Sequence, residues 1–417
     1  MEIVLCEDLS EADFDSIRAS KPVLLVGSAV SIFAPTNLPN GKSVTDDLLA
    51  RLASGGSSGP WPDWLIAAPE QLPFEAVLEA YPDQDSLPEI ICRLFGEPNV
   101  KPNRLHEAIG DGVAQGLFSG LITTNYDLAF DNYFARTNAE IATLLREEEG
   151  RAWMSSESKR PAYWKIHGTA RVEDSDTIVA NLARERRMDD WKQCLLKRLV
   201  EGRTLIFLGY SGRDFDVCPE LACVREAFDA VWLAQPPKHG GQLEPNDNRS
   251  RIIKKTEGQV VLGDLYVLLE KLCQNSIERS KRLSAPVDVW CYFDSSLLAE
   301  WRIRLLERMA CPSVALELLD SLTTPRFFDK RLMKADMLIH RGSSREALHL
   351  LDSRIAYAHS DQDRLNCLLE SSTAWWVCGW PGRSRSRLKS ARKLARSTEL
   401  TARLRERWRR RSYCSGY

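Results

Sequence analysis

Val23-Leu24-Leu25-Val26-Gly27-Ser28-Ala29-Val30-Ser31 is an unbroken apolar run stopped by a glycine and followed by small residues. So short a run, with no polar alternation and a turn at its end, suits a strand buried on both faces of a parallel sheet. The pattern recurs downstream. Leu117 to Thr123 ends in Thr124-Asn125-Tyr126-Asp127, Ala162 to Ile166 ends in His167-Gly168, and Thr204 to Leu208 ends in Gly209-Tyr210-Ser211-Gly212-Arg213-Asp214. Ala230 to Leu233 and Gln259 to Leu262 are two further strand-like runs. Helical spacing lies between them, at Val44 to Leu52, Phe74 to Tyr81, Leu87 to Phe95, Leu105 to Ala114 and Trp191 to Val200. Strands alternating with helices imply crossover connections, so the expected fold is α/β with a doubly wound, mostly parallel sheet. Ligands of such sheets bind beyond the carboxyl ends of the strands, where all four motifs fall.

Composition narrows the class. With 417 residues and 44% hydrophobic content, the chain can bury one large core or two modest ones. A formal charge of -2 gives no overall pull toward nucleic acid or membrane, although Arg383 to Arg411 carries 13 Lys or Arg residues against Glu399 and Glu406. Such a run is a solvated helix face or a contact for acidic partners; nucleic acid is not the expected partner, but the tail leaves it open. The 11 cysteines show no Cys-x-x-Cys pair and read as buried small hydrophobes in a reducing compartment. The acidic start (Glu2, Glu7, Asp8) and the lack of any stretch near ~18 apolar residues point to a cytoplasmic protein without a membrane span. Ser54 to Pro62 reads as a Gly/Ser/Pro loop.

Each motif also has a chemical reading. Gly27, Ser28, Ala29 and Ser31 are small enough for backbone N–H groups to approach a pyrophosphate at a strand-to-helix turn, though a tight turn needs no ligand. Asn125 offers a donor and an acceptor to ribose hydroxyls and a water, or the segment simply caps a helix through Asp127. His167, at a strand tip, is either a structural histidine or a general base, since an ordinary imidazole titrates near ~6.5. Asp214 and Asp216 read as helix caps rather than catalytic groups.

Taken in order, the four motifs resemble those of the SIR2 (sirtuin) superfamily, whose members bind NAD and break its nicotinamide–ribose bond. The resemblance covers roughly residues 15 to 275, and Pro102-Asn103-Arg104-Leu105-His106 resembles the helix start that precedes the family's Asn motif. It implies a Rossmann-like SIR2 core with Asn125 and His167 as catalytic residues. Gly27, Ser28, Ala29, Ser31, Thr124, Asp127, Gly209 and Ser211 would be cofactor-binding, and NAD the substrate. This sequence also departs from the family. Ala29 stands where sirtuins carry a third glycine, and Lys42-Ser43 follows Asn37-Leu38-Pro39-Asn40-Gly41 in place of the Asp-Phe-Arg ending of the deacylases. The four-cysteine zinc ribbon is missing: Cys194 is the only cysteine between Gly168 and Leu205, and Cys218 with Cys223 has loose spacing, so no metal is expected.

A zinc-free SIR2-like core joined to helices resembles bacterial antiphage-defence SIR2 proteins that act as NAD glycohydrolases. The resemblance therefore implies cleavage of NAD to nicotinamide and ADP-ribose in abortive infection. The rivals are an NAD-dependent protein deacylase or ADP-ribosyltransferase, and a non-catalytic NAD-binding sensor module. Domains are expected at 1–285 (SIR2-like) and 286–417 (helical, regulatory or assembly). In the second, Ala335-Asp336-Met337-Leu338, Gly342 and Glu346-Ala347-Leu348 echo Thr373-Ala374-Trp375-Trp376, Gly379 and Leu388. That spacing fits a tetratricopeptide-like repeat or an irregular helical bundle. The expected assembly is a homo-oligomer, with a partner protein or phage-derived trigger acting through the helices.

Overall fold

The computed structural model describes residues 2–54, 72–157, 160–182, 185, 188–224, 228–235, 247–256, 258–282 and 288–356. They fall into two compact units, one drawn from 2–51, 72–79 and 83–294, the other from 52–54, 80–82 and 295–356.

The first unit is built on a single parallel sheet. Its strands are β1 (Glu2–Leu5), β2 (Val23–Val26), β3 (Gly120–Thr123), β4 (Ala142–Leu144), β5 (Ala162–Lys165), β6 (Thr204–Leu208), β7 (Asp229–Ala234) and β8 (Gln259–Leu262), in the order β1-β8-β7-β6-β2-β3-β5-β4. Each of the six apolar runs forms a strand. Two strands were not legible, and both lie at the sheet's edges. β1 leaves Glu2, Ile3 and Leu5 exposed, although Ile3-Val4-Leu5-Cys6 is itself a short apolar run, and β4 has only three residues.

Burial on both faces explains the unbroken runs. Val23 and Leu25 join a layer with Trp164, Trp191, Phe207 and Trp232, while Leu24 and Val26 join Phe14, Leu105, Phe130 and Tyr163 on the other side. Removing each such side chain from water contributes roughly 1.5–3 kcal/mol. The chain runs from β2 to β3 on one side and returns to β6 on the other. The order therefore reverses at β2, the point where doubly wound sheets open a crevice.

The helices expected from spacing are present at Gly41–Ser54, Phe74–Glu79, Leu87–Phe95, Arg104–Ala114 and Asp190–Val200. At the first of these, Asn40 Oδ1 accepts from Ser43 N at 2.8 Å, and Lys42 pairs with Asp46. The cysteine expectation needs correction: Cys6, Cys92 and Cys218 are buried, but Cys194, Cys223 and Cys291 are exposed. A cysteine's neighbours in sequence do not reveal which face of its helix it occupies.

The second unit is helical among its described residues. Helices Leu298–Arg308, Pro312–Ser321, Lys330–His340 and Ser344–Ala356 pack successively. Trp301 is fully buried and meets Tyr81 edge to face at 4.9 Å. The hairpin expected around Gly342 forms, with that glycine in the left-handed region at φ +87°. Its proposed echo at Thr373 to Leu388, the basic run Arg383 to Arg411, and the loop after Ser54 to Pro62 lie outside the described residues.

Candidate functional site

Four neighbouring strands, β6, β2, β3 and β5, bring the four motifs to one edge of the sheet. Val26 is in register with both Thr123 and Leu208, and Thr123 with Lys165. Gly27 and Gly209 therefore stand one residue past the ladder, and Asn125 and His167 stand two past it on adjacent strands.

The glycines answer first to packing. A Cβ on Gly27 would lie 2.6 Å from the Gly209 carbonyl oxygen and 2.7 Å from the Tyr210 Cα, so β2 and β6 could not end side by side. Gly209 turns in the left-handed region at φ +59°. Ala29 N donates to Gly209 O at 3.2 Å, Val30 N to Gly27 O at 3.4 Å and Ser31 N to Ser28 O at 3.1 Å. A single 3-10 turn, Ser28–Val30, follows β2 where a longer helix start was expected, and Ser28 and Ala29 are half-buried on it. Behind β6, Tyr210 stacks with Phe207 and Trp232, and Gly212 packs on Trp232 at φ +70°. Ser211 is exposed.

Asn125 is buried, and its two ends are treated differently. Its Nδ2 donates to Gly27 O and Ser31 Oγ, both at 3.3 Å, whereas Oδ1 is buried without a hydrogen-bond partner. An orphaned acceptor of this kind costs about 1–3 kcal/mol unless something donates to it. Thr124, its half-buried neighbour, donates its backbone N–H to Val26 O. Ser31 donates to Asp127 Oδ2 at 2.8 Å, and Asp127 Oδ1 accepts from Ala129 N at 3.0 Å at the start of the helix Ala129–Thr137, whose N-cap is Leu128 and not Asp127 as expected. Ser31 and Asp127, both buried, thus act on Asn125 and the next helix from behind.

His167 is 3% exposed and sits on the turn after β5. Gly168 makes that turn possible, at φ +89° and with Thr177 O only 2.3 Å from where a Cβ would be. The imidazole Nε2 lies 3.0 Å from Asp216 Oδ1. Burial pushes the ring's pKa down, but the Asp216 carboxylate, together with Glu185 and Asp214, outweighs it and lifts it to about 9. His167 is therefore an imidazolium at neutral pH, not the neutral base that an ordinary value suggests. Asp216 does cap the helix Val217–Cys223, as expected, through Val217 N at 2.7 Å; it also holds the histidine, which the sequence did not reveal.

Three more carboxyls surround this pair. Asp214 takes hydrogen bonds from Tyr210 OH and Cys218 N, and burial raises it to about 6. Glu185 is fully buried, accepts from Phe215 N at 3.3 Å and leaves Oε1 unpartnered. Burial raises Glu185 and Glu75, and each is raised further by the other carboxyls. Neither glutamate had a sequence signal: Glu185 lies in the charged stretch Arg184-Glu185-Arg186-Arg187, outside all four motifs. Elsewhere, Glu307, Asp336 and His340 of the helical unit are the one group among the described residues with ligand-type atoms within 4.8 Å of one another; exposed acidic groups commonly gather without an ion.

An α/β protein whose polar side chains gather where its strand order reverses belongs to the ligand-binding doubly wound class. Residues 119–258, from the start of β3 to the approach of β8, match the family model of the SIR2-like domain. That stretch of the chain is thus a SIR2-like domain, which supports an NAD-related function in general. The match includes Asn125, His167, Gly209 and Asp216, and leaves the Gly27–Ser31 turn outside. No curated protein matches the chain. Among the described residues, no helix is long and apolar enough to cross a membrane.

Proposed function

We propose that this protein is an NAD hydrolase that releases nicotinamide and ADP-ribose. The observation that carries the reading is the buried, unpartnered Asn125 Oδ1 on the strand tip next to that of His167, inside the SIR2-like stretch. NAD would lie along the sheet edge, its pyrophosphate near Ser28 and Ala29 and its ribose near Ser211 and Asn125. Loss of nicotinamide leaves an oxocarbenium-like centre at C1′. A water donating to Asn125 Oδ1 attacks it, and the proton released passes to His167 in its neutral form, so that NAD and water give nicotinamide, ADP-ribose and a proton. No metal is called on.

The test is nicotinamide release from NAD, without acyl peptide, by wild type, Asn125→Ala and His167→Ala. Release by wild type alone is expected. Equal release by the variants overturns the mechanism, release that needs an acyl peptide favours a deacylase, and binding without product favours a sensor module.

As part of the same reading, residues 1–285 form the hydrolase and 286–417 a regulatory or assembly region through which formation of a homo-oligomer, and a partner protein or phage-derived trigger, raise its activity. In cells the protein acts as an antiphage effector. NAD is expected to fall on phage challenge with wild type and to persist with His167→Ala; unchanged NAD in both removes the defence role.

A further inference from the structure

Asn125 and His167 stand on adjacent strand tips, and a residue beside each of them, in the same two motifs, reaches across to the other turn. Lys165, the last residue of β5, is 1% exposed and meets its three ammonium hydrogens with three acceptors. Its Nζ donates to Asp127 O at 2.6 Å and Tyr126 O at 3.3 Å, two carbonyls that follow Asn125, and to Asp131 Oδ2 at 2.9 Å. Asp131 balances the charge and is itself held by Tyr163 OH at 2.9 Å and Arg171 at 3.3 Å. A buried cation is costly without such partners, so Lys165 keeps those carbonyls where they are. The tie in the other direction starts at Tyr126, which is also buried. Its OH donates to Val179 O at 2.6 Å, Val179 N donates to His167 O at 2.9 Å, and Ala170 N donates to Tyr126 O at 2.8 Å. Burial and the nearby carboxyls of Glu75, Glu185 and Asp216 push the phenol well above its ordinary value, so it remains a donor. Asn125 N donates to Thr123 Oγ1 at 3.1 Å and Gly168 N to Lys165 O at 3.1 Å, but each of these bonds lies within one turn. The ladder bond from Ile166 N to Thr123 O ends before either Asn125 or His167 is reached. Beyond it, the two turns are joined by the side chains of Lys165 and Tyr126 and by Ala170 N.

We propose that Lys165 and Tyr126 are positioning residues that fix the Asn125 and His167 turns against each other as one block. The inference deepens the hydrolase reading and rests on it only for the consequence, which is that the water donating to Asn125 Oδ1 keeps its alignment with the imidazole. A displacement of about 1 Å between reacting groups is enough to cost on the order of 100-fold in rate. Neither side chain has a step of its own in the chemistry, yet both belong to the motifs that carry it.

Two measurements test it on the full chain. Hydrogen exchange reads the lock without turnover. Tyr126→Phe removes one O–H from the Asn125 turn and is expected to speed exchange of the Val179 N–H, on the His167 side, by about tenfold. Lys165→Met removes the ammonium from the His167 side and is expected to speed exchange of the Thr124 and Asn125 N–H groups by about as much as Tyr126→Phe does across the way. Unchanged exchange across the gap overturns the proposal, and so does faster exchange spread evenly over the sheet, which marks a general loss of stability. In kinetics, below the melting of every variant, Tyr126→Phe is expected to lower kcat about tenfold with KM for NAD nearly unchanged. Tyr133→Phe removes a phenol bond to Asp111, between helices, and is expected to lower the melting temperature with kcat unchanged. Wild-type kcat in Tyr126→Phe overturns the positioning role, as does an equal fall in both phenylalanine variants. Where Lys165→Met does not fold, Tyr126→Phe carries both readouts. If wild type releases no nicotinamide, the hydrolase reading fails, and hydrogen exchange still decides the lock.

Discussion

At the scale of single residues, the His167–Asp216 pair sets the pH behaviour. A base must be neutral to accept a proton, and His167 with a pKa of about 9 is mostly charged at pH 7. The expected kcat/KM therefore climbs about tenfold per pH unit between 7 and 9 and then levels off. Asp216→Asn keeps a good helix N-cap but removes the negative charge. With the strongest raising charge gone, burial pulls His167 back down from about 9, and the rise of the profile moves to lower pH. A wild-type profile already flat from pH 7 to 9 rules out His167 as the base. Glu185 yields a stability prediction of defined sign. In the unfolded chain it loses its proton above about 4.5, while burial keeps the folded carboxyl protonated to higher pH, so rising pH favours unfolding. Glu185→Gln should resist denaturant better than wild type at pH 8 and match it near pH 4.5. Equal midpoints at pH 8 would show that Glu185 ionises normally. A buried carboxyl that costs stability is the kind of feature retained at functional sites.

At the scale of elements, the site depends on β2 and β6 ending in mutual contact. Gly27→Ala puts a methyl group 2.6 Å from a backbone oxygen, and no side chain can move aside to relieve it. Overpacking of this kind typically costs about 1–3 kcal/mol. The expected outcome is a lower melting temperature together with weaker NAD binding, because the turns after both strands must part. A variant with wild-type melting and binding would show that the two turns are not coupled. The apolar runs of β2, β5 and β6 were legible because parallel strands are buried on both faces; at the edges, β4 is only three residues long, and the short apolar run of β1 is largely exposed.

At the scale of the whole molecule, an NAD-destroying activity needs restraint, and the helical region after residue 285 is the element proposed to supply it. Nicotinamide release is expected to rise more steeply than the first power of protein concentration. A chain ending at residue 285 is expected to lose that steepness. If turnover per molecule is independent of concentration in the full chain, control by self-assembly is wrong.

By itself the sequence determined the parallel α/β architecture, the four strand tips and the named residues on them, because local apolarity and turn-forming glycines are written residue by residue. Only the tertiary structure decided the electrostatics. Asp216, Glu185 and Asp214 come from other segments, and their carboxyls around His167 raise its pKa to about 9 and so change its charge at neutral pH. Likewise Lys165 and Tyr126 bond to the Asp127 and Val179 carbonyls, 38 and 53 positions away from them in the chain. A pKa and a hydrogen-bond partner are properties of what surrounds a group in space, and no spacing along the chain encodes them.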